Sequence, residues 1–145
     1  MNEVLHHIRK AFIDRLNGNI TVQSIDVPVF NVVPSNSDFP YVKVYSVSND
    51  EDDLNRSSFN VEAVIRLEVV TRFDYNVGGE LQANLITDEI LNQIRTRSDG
   101  YIDLTAQGWN VYIIQNRGVK YITDNLEDHT FYRAIINITV KAEKI

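Results

Sequence analysis

The sequence has no cysteine, which excludes disulfides, thiolate metal ligands and a cysteine nucleophile and leaves the redox compartment undetermined. Histidine is scarce, with only His6, His7 and His129 present. His6 and His7 are adjacent on an expected helix, where neighbouring side chains diverge by about 100°. They are therefore read as solvent-facing residues beside an apolar stripe, not as a shared metal site. No stretch approaches ~18 consecutive apolar residues, so no membrane-spanning helix and no membrane partner are expected. The opening residues, Met1 to Lys10, have neither an apolar signal core nor a small-residue cleavage site, which makes the cytoplasm the expected place of synthesis and residence.

Excess positive charge is also missing. Fourteen basic residues stand against 20 acidic ones, for a net charge of −6. A cationic groove built to hold phosphates is not expected. Like charge is still compatible with a polyanion that passes without being retained.

Local catalytic signatures are absent as well: there is no Gly-x-Ser-x-Gly, no His-Glu-x-x-His and no Ser-x-x-Lys. Gly78-Gly79 precedes a helical pattern, but no Lys-Ser or Lys-Thr follows and no third glycine stands at dinucleotide spacing, so a turn and helix cap is the reading. Asp50, Glu51, Asp52 and Asp53 offer hard oxygen atoms, yet the central glycine and the terminal bidentate glutamate of an EF-hand loop are missing. The run is read as solvated. Glu127, Asp128 and His129 form an acidic loop with one histidine and no triad pattern. No catalytic, cofactor-binding or metal-binding residue is assigned, and a non-enzyme is expected.

What is present is a chain of 145 residues, 43% apolar and 23% charged, long enough for one core. A single domain over residues 1–145 is expected, without internal repeat or linker. Leu5, Ile8, Phe12 and Leu16 recur at helical spacing, and Asn17-Gly18-Asn19 supplies the stop. Residues 27–33 are β-branched but bracketed by Pro28 and Pro34, which suits an edge or irregular strand. Residues 41–47 read as a strand, and residues 48–58 as an exposed loop.

The clearest strand spans residues 59–73, where Phe59, Val61, Ala63, Ile65, Leu67, Val69 and Phe73 alternate with Asn60, Glu62, Arg66, Glu68 and Arg72. It exceeds the usual length, so it is expected to bend or to project as an arm. Residues 80–96 carry a second amphipathic pattern through Ala83, Ile86, Ile90 and Ile94. Residues 109–115 and 131–141 alternate again, with a long polar loop expected over 116–129. The predicted fold is α+β: a mostly antiparallel sheet, two helices packed on one face, and a long projecting strand or hairpin.

The helix ending Arg15-Leu16, the segments Val27-Pro28-Val29-Phe30-Asn31-Val32-Val33-Pro34 and Phe39-Pro40-Tyr41-Val42, the long alternating strand and the Gly79-Glu80 helix start make the sequence resemble the tail terminator, or tail completion, proteins of long-tailed bacteriophages. The two proline-centred segments at their separation are the most specific part, and the resemblance runs from about Leu5 to Arg97.

The resemblance implies a structural virion protein, assembled in the host cytoplasm and located in the neck region of the tail. It implies a homo-oligomeric ring, a hexamer in type, that caps the head-proximal end of the tail tube. Such a ring stops tube polymerisation and joins the tail to the head connector, while DNA passes through without specific binding. Within that picture Phe59, Val61, Val69, Phe73, Tyr41 and Tyr45 are the expected subunit-interface residues. Asp50, Glu51, Asp52 and Asp53 are the expected acidic rim or lumen. A head-tail connector or neck protein of similar fold, and a small non-catalytic binding module, are the alternatives.

Overall fold

A computed structural model describes residues 3–52, 59–74, 78–95 and 100–145. The first helix, α1 (Leu5–Leu16), forms because its apolar residues share one stripe: Leu5, Ile8, Phe12 and Leu16 are all buried. It ends where Asn17 takes extended geometry and donates its N–H to the Ile13 carbonyl. The Asn17 side chain then accepts the Val29 N–H at 3.2 Å, tying the helix end to the following strand segment.

A short hairpin of β1 (Thr21–Val22) and β2 (Ile25–Asp26) follows, an element the sequence pattern does not announce. Its two turn residues, Gln23 and Ser24, both have positive φ, 51° and 65°. That is the geometry for which two-residue hairpins use asparagine and glycine, because a Cβ crowds the following carbonyl. Replacing Ser24 with glycine is therefore expected to stabilise the fold by about 1 kcal/mol. A thermal melt should show the midpoint rising by roughly 2–4 °C, and an unchanged or lower midpoint would refute the assignment of strain there.

The main sheet contains β3 (Val29–Phe30), β4 (Tyr41–Asp52), β5 (Asn60–Asp74), β6 (Trp109–Asn125) and β7 (His129–Lys144), in the order β3-β4-β5-β7-β6. Only the β3–β4 pair is parallel. The second helix, α2 (Leu81–Arg95), buries Ala83, Ile86, Ile90 and Ile94. Gly78, just before it, has φ +84°, and a Cβ there would overlap the Phe73 ring, so the glycine serves the turn. The helix α1 packs on β4 and β5, α2 packs on β5 and β7, and the two helices touch. The fold is α+β, with a mostly antiparallel sheet, as the pattern predicts.

One core lies between helices and sheet. Val61, Ala63, Ile65, Leu67 and Val69 of β5 are buried there beside Ala134, Ile136, Ile138, Val140 and Ala142 of β7. The intervening residues of β5, from Asn60 to Glu68, are only half-buried, so the second sheet face is open. Arg133 crosses that face, 3.1 Å from Glu68 on β5 and 3.1 Å from Asp124 on β6.

Two expected loops are largely strand where the structure describes them, and only 126–128 of the second remain a loop. Residues 48–52 continue β4 through a bulge between Ser46 and Ser48, paired with β5 as far as Asp52↔Asn60. Residues 116–125 continue β6 through bulges at 111/113 and 116/118, paired with β7 as far as Asn125↔Thr130. In both places pairing with a long neighbour holds a polar segment extended against its weak strand propensity. The β5 strand does not run out alone: β7 accompanies it from Asn60↔Glu143 to Asp74↔His129. Beyond Tyr41↔Val70, residues 71–74 lack only the β4 partner.

Candidate functional site

The expected interface residues separate on the structure. Val61 and Val69 are buried in the chain's own core, 2% and 0% exposed, because they fall on the helix-facing side of β5. They are not surface residues, and from Asn60 to Val70 β5 is paired on both sides. This corrects the expectation that Val61 and Val69 are contact residues. Phe59 is exposed and lies just before β5, its carbonyl accepting the Lys144 N–H at 2.8 Å. Phe73 is half-buried and packs edge-on to Tyr132 at 5.9 Å.

Tyr41 and Tyr45 sit on the open sheet face, half-buried. Phe39 is 5.2 Å from the Tyr41 ring, and Lys43 and Arg66 lie 5.2 and 6.0 Å from the Tyr45 ring. Asp50 and Glu51 are exposed near the end of β4, in a strand and not a loop. Asp52 is the last residue of that strand, and Asp53 lies outside the described residues.

What sequence reasoning missed is the edge itself. On the outer side of β4, β3 stops at Phe30↔Lys43 and Asn31 donates its side-chain amide to the Val44 carbonyl at 2.9 Å. From Tyr45 onward no strand covers β4 among the described residues. The strand β6 is the other edge, 17 residues long, about 56 Å of main chain, and no strand pairs its outer side among the described residues. Natural edges are usually blunted by charge, bulges or shortness. Here Arg117, Lys120 and two bulges do part of that, yet Tyr112, Ile113, Tyr121 and Ile122 remain 36–43% exposed along the strand. The open half of β4 carries exposed Val47 and, beside it, the Asn49 side-chain amide, which is buried without a hydrogen-bond partner among the described residues.

The histidines differ from expectation. The His6 and His7 rings lie 3.8 Å apart, tilted by 40°, because rotation about the side-chain torsions brings the rings together although the Cβ directions diverge. Among the described residues no three His, Asp or Glu side chains are grouped to hold a metal ion. Burial lowers the His7 pKa from the ordinary 6.5, the neighbouring His6 and Lys144 lower it further, and Glu3 opposes.

Because the folded value is the lower one, the unfolded chain binds the proton more readily. The stability this group contributes is full above pH ~6.5 and declines as pH falls through the folded value. His7→Gln is expected to flatten the fall in melting temperature between about pH 7 and 5, above the range where most carboxylates titrate. An unchanged slope would mean that His7 is not the group responsible.

A recess of about 130 Å³ with a mixed polar and apolar lining lies between the end of α2 and the last two strands, formed by Leu91, Ile94, Arg95, Ile114, Asn116 and Ile138. It brings together no acid-base pair and no nucleophile. Among the described residues no helix is long and apolar enough to cross a membrane.

Fold and site together define a class: an α+β chain with helices along one side of its sheet and, among the described residues, open main-chain edge along β6 and along β4 beyond Val44. No known family model matches the chain, and no curated protein sequence matches it.

Proposed function

We propose that the protein is a structural assembly subunit, a bacteriophage tail terminator that closes into a hexameric ring on the tail tube, stops tube growth and presents a surface to the head connector. The single observation that carries the assembly reading is the pair of open sheet edges, one on each flank. Edges on opposite sides of one subunit suit a heterologous contact, in which each copy offers one patch and receives the other, and such a contact closes into a ring when the rotation permits. Main-chain hydrogen bonds across an added strand supply a recurring mode of protein recognition. The terminator reading adds the resemblance carried by residues 27–34 and 39–42.

The acidic residues Asp50 and Glu51 lie toward one end of β4, which favours a rim over mid-wall placement. A subunit of net charge −6 agrees with DNA passing without capture. The ends of β5, β7 and β6 beyond Tyr41 form the arm in this account, reaching toward tube or connector.

The experiment is reconstitution. The protein is added to the polymerising tube subunit of the same phage, and tube lengths are measured in electron micrographs. Capped tubes with a ring at one end are expected. Tubes that elongate unchanged, with no ring bound, would contradict the terminator role.

A further inference from the structure

We infer that β6 of one subunit pairs antiparallel with the open half of β4 in a second copy of this chain, with Arg117 and Lys120 meeting Asp50 on the open face. The inference rests on the assembly reading above and names the two surfaces that meet.

Strand direction is the first ground. Within the sheet β4 is antiparallel to β5, β5 to β7 and β7 to β6, so β4 and β6 run in opposite directions. A second copy placed beside the first in the same orientation therefore brings its β4 antiparallel to β6, the pairing that an outward-facing edge accepts most readily.

Charge is the second. The charged residues of β6 are Arg117, Lys120 and Asp124, and Asp124 is already engaged by Arg133. Arg117 is held only loosely, its Nε donating to the Thr139 hydroxyl at 3.3 Å and its guanidinium 3.9 Å from Glu62. That pair is about half exposed and contributes little. The open half of β4 carries acids alone, Asp50, Glu51 and Asp52. Pairing β6 with β6 about a two-fold axis faces cations with cations, and pairing β4 with β4 faces acids with acids, both destabilising across strands. Only β6 against β4 joins opposite charges. It is also the arrangement that continues from copy to copy, whereas either two-fold pairing stops at a dimer.

Register is the third. Without stagger, Lys120 would stand level with Lys43, through Ile135 and Glu68. Strands in a closed sheet tilt by ~35–45°, which displaces each by about one residue or slightly more against the next. Over the four steps from one β4 to the next the displacement accumulates to roughly four to five residues, which in one of its two senses carries Asp50 from the level of Ile113 to between Arg117 and Lys120. Register alternation puts Asp50, beside Glu62, and Lys120, beside Ile135, on the same open face. Exposed Val47 then meets the apolar side chains of β6.

A charge exchange tests the pairing. One variant carries Asp50→Lys with Glu51→Lys, the other Arg117→Glu with Lys120→Glu, and native mass spectrometry reads association while circular dichroism checks folding. Each variant alone is expected to lose the high-mass species, since its own edges now repel. An equal mixture is expected to restore it with the two variants in one-to-one ratio. A folded Asp50→Lys, Glu51→Lys variant that assembles like the parent, or a mixture that stays dissociated, would overturn the proposal.

Should either variant fail to fold, the cysteine-free chain allows a second measurement: Asp50→Cys with Lys120→Cys in one chain, oxidised at assembling concentration. A ladder of covalent oligomers is expected. Its absence while the parent assembles would overturn the pairing and leave the ring reading standing. A parent that stays monomeric and leaves tubes uncapped would overturn both.

Discussion

Phe12→Ala is expected to remove a large part of the protein's stability. The ring is fully buried, 0% exposed, at the centre of the α1 stripe, with Tyr101 at 6.2 Å. Truncation loses its transfer free energy and leaves a cavity that β-strands on one side and α2 on the other cannot collapse to fill, at a cost of about 3–5 kcal/mol. Against a total of roughly 5–15 kcal/mol for a domain of this kind, that is at least about a fifth of the margin. Urea denaturation should show the midpoint falling steeply with an unchanged slope. A loss below about 1 kcal/mol would mean that α1 does not dock on the sheet through this residue.

The second large effect separates folding from assembly. Ile113 and Ile122 both lie on the edge strand and on the open face, opposite Lys141 and Arg133, and each is 36% exposed. Replacing both with lysine is expected to abolish self-association while moving the thermal midpoint little. Lysine on an edge strand is a common natural device against strand addition, and its alkyl stem covers the apolar surface that isoleucine leaves. Assembly that survives both substitutions would show that β6 is not the contact, whereas a collapse of the melting temperature would show that the two residues serve the core instead.

The contrast between these variants follows from how the residues were legible. Leu5, Ile8, Phe12 and Leu16, and the alternation from Val61 to Val69, announce α1 and β5 because each places apolar side chains against one core with the period of its own backbone. The same signal misleads about Val61 and Val69 as contact residues, since a dry face marks burial in the subunit before it marks burial between subunits.

The last ten residues of β6 are silent for the opposite reason. An edge strand exposed on both faces has no alternation to show, and Asn116, Arg117 and Gly118 read as loop. Asp50 to Asp52 likewise read as loop because acids disfavour strands, and only the register with β5 holds them extended. The β1–β2 turn at Gln23 and Ser24 is hidden because neither residue is the asparagine or glycine that two positive φ angles favour. The surface argued to carry the function is therefore the part of the sheet least visible in the sequence. What becomes visible only in three dimensions is that two unremarkable polar segments are the two ends of one sheet.

Sedimentation velocity of the intact chain over a wide concentration range tests the central claim most directly. One discrete species of several subunits is expected, converted to the 16.7 kDa monomer by the Ile113→Lys and Ile122→Lys substitutions. A 16.7 kDa monomer at every concentration, or association that these substitutions leave untouched, would contradict it.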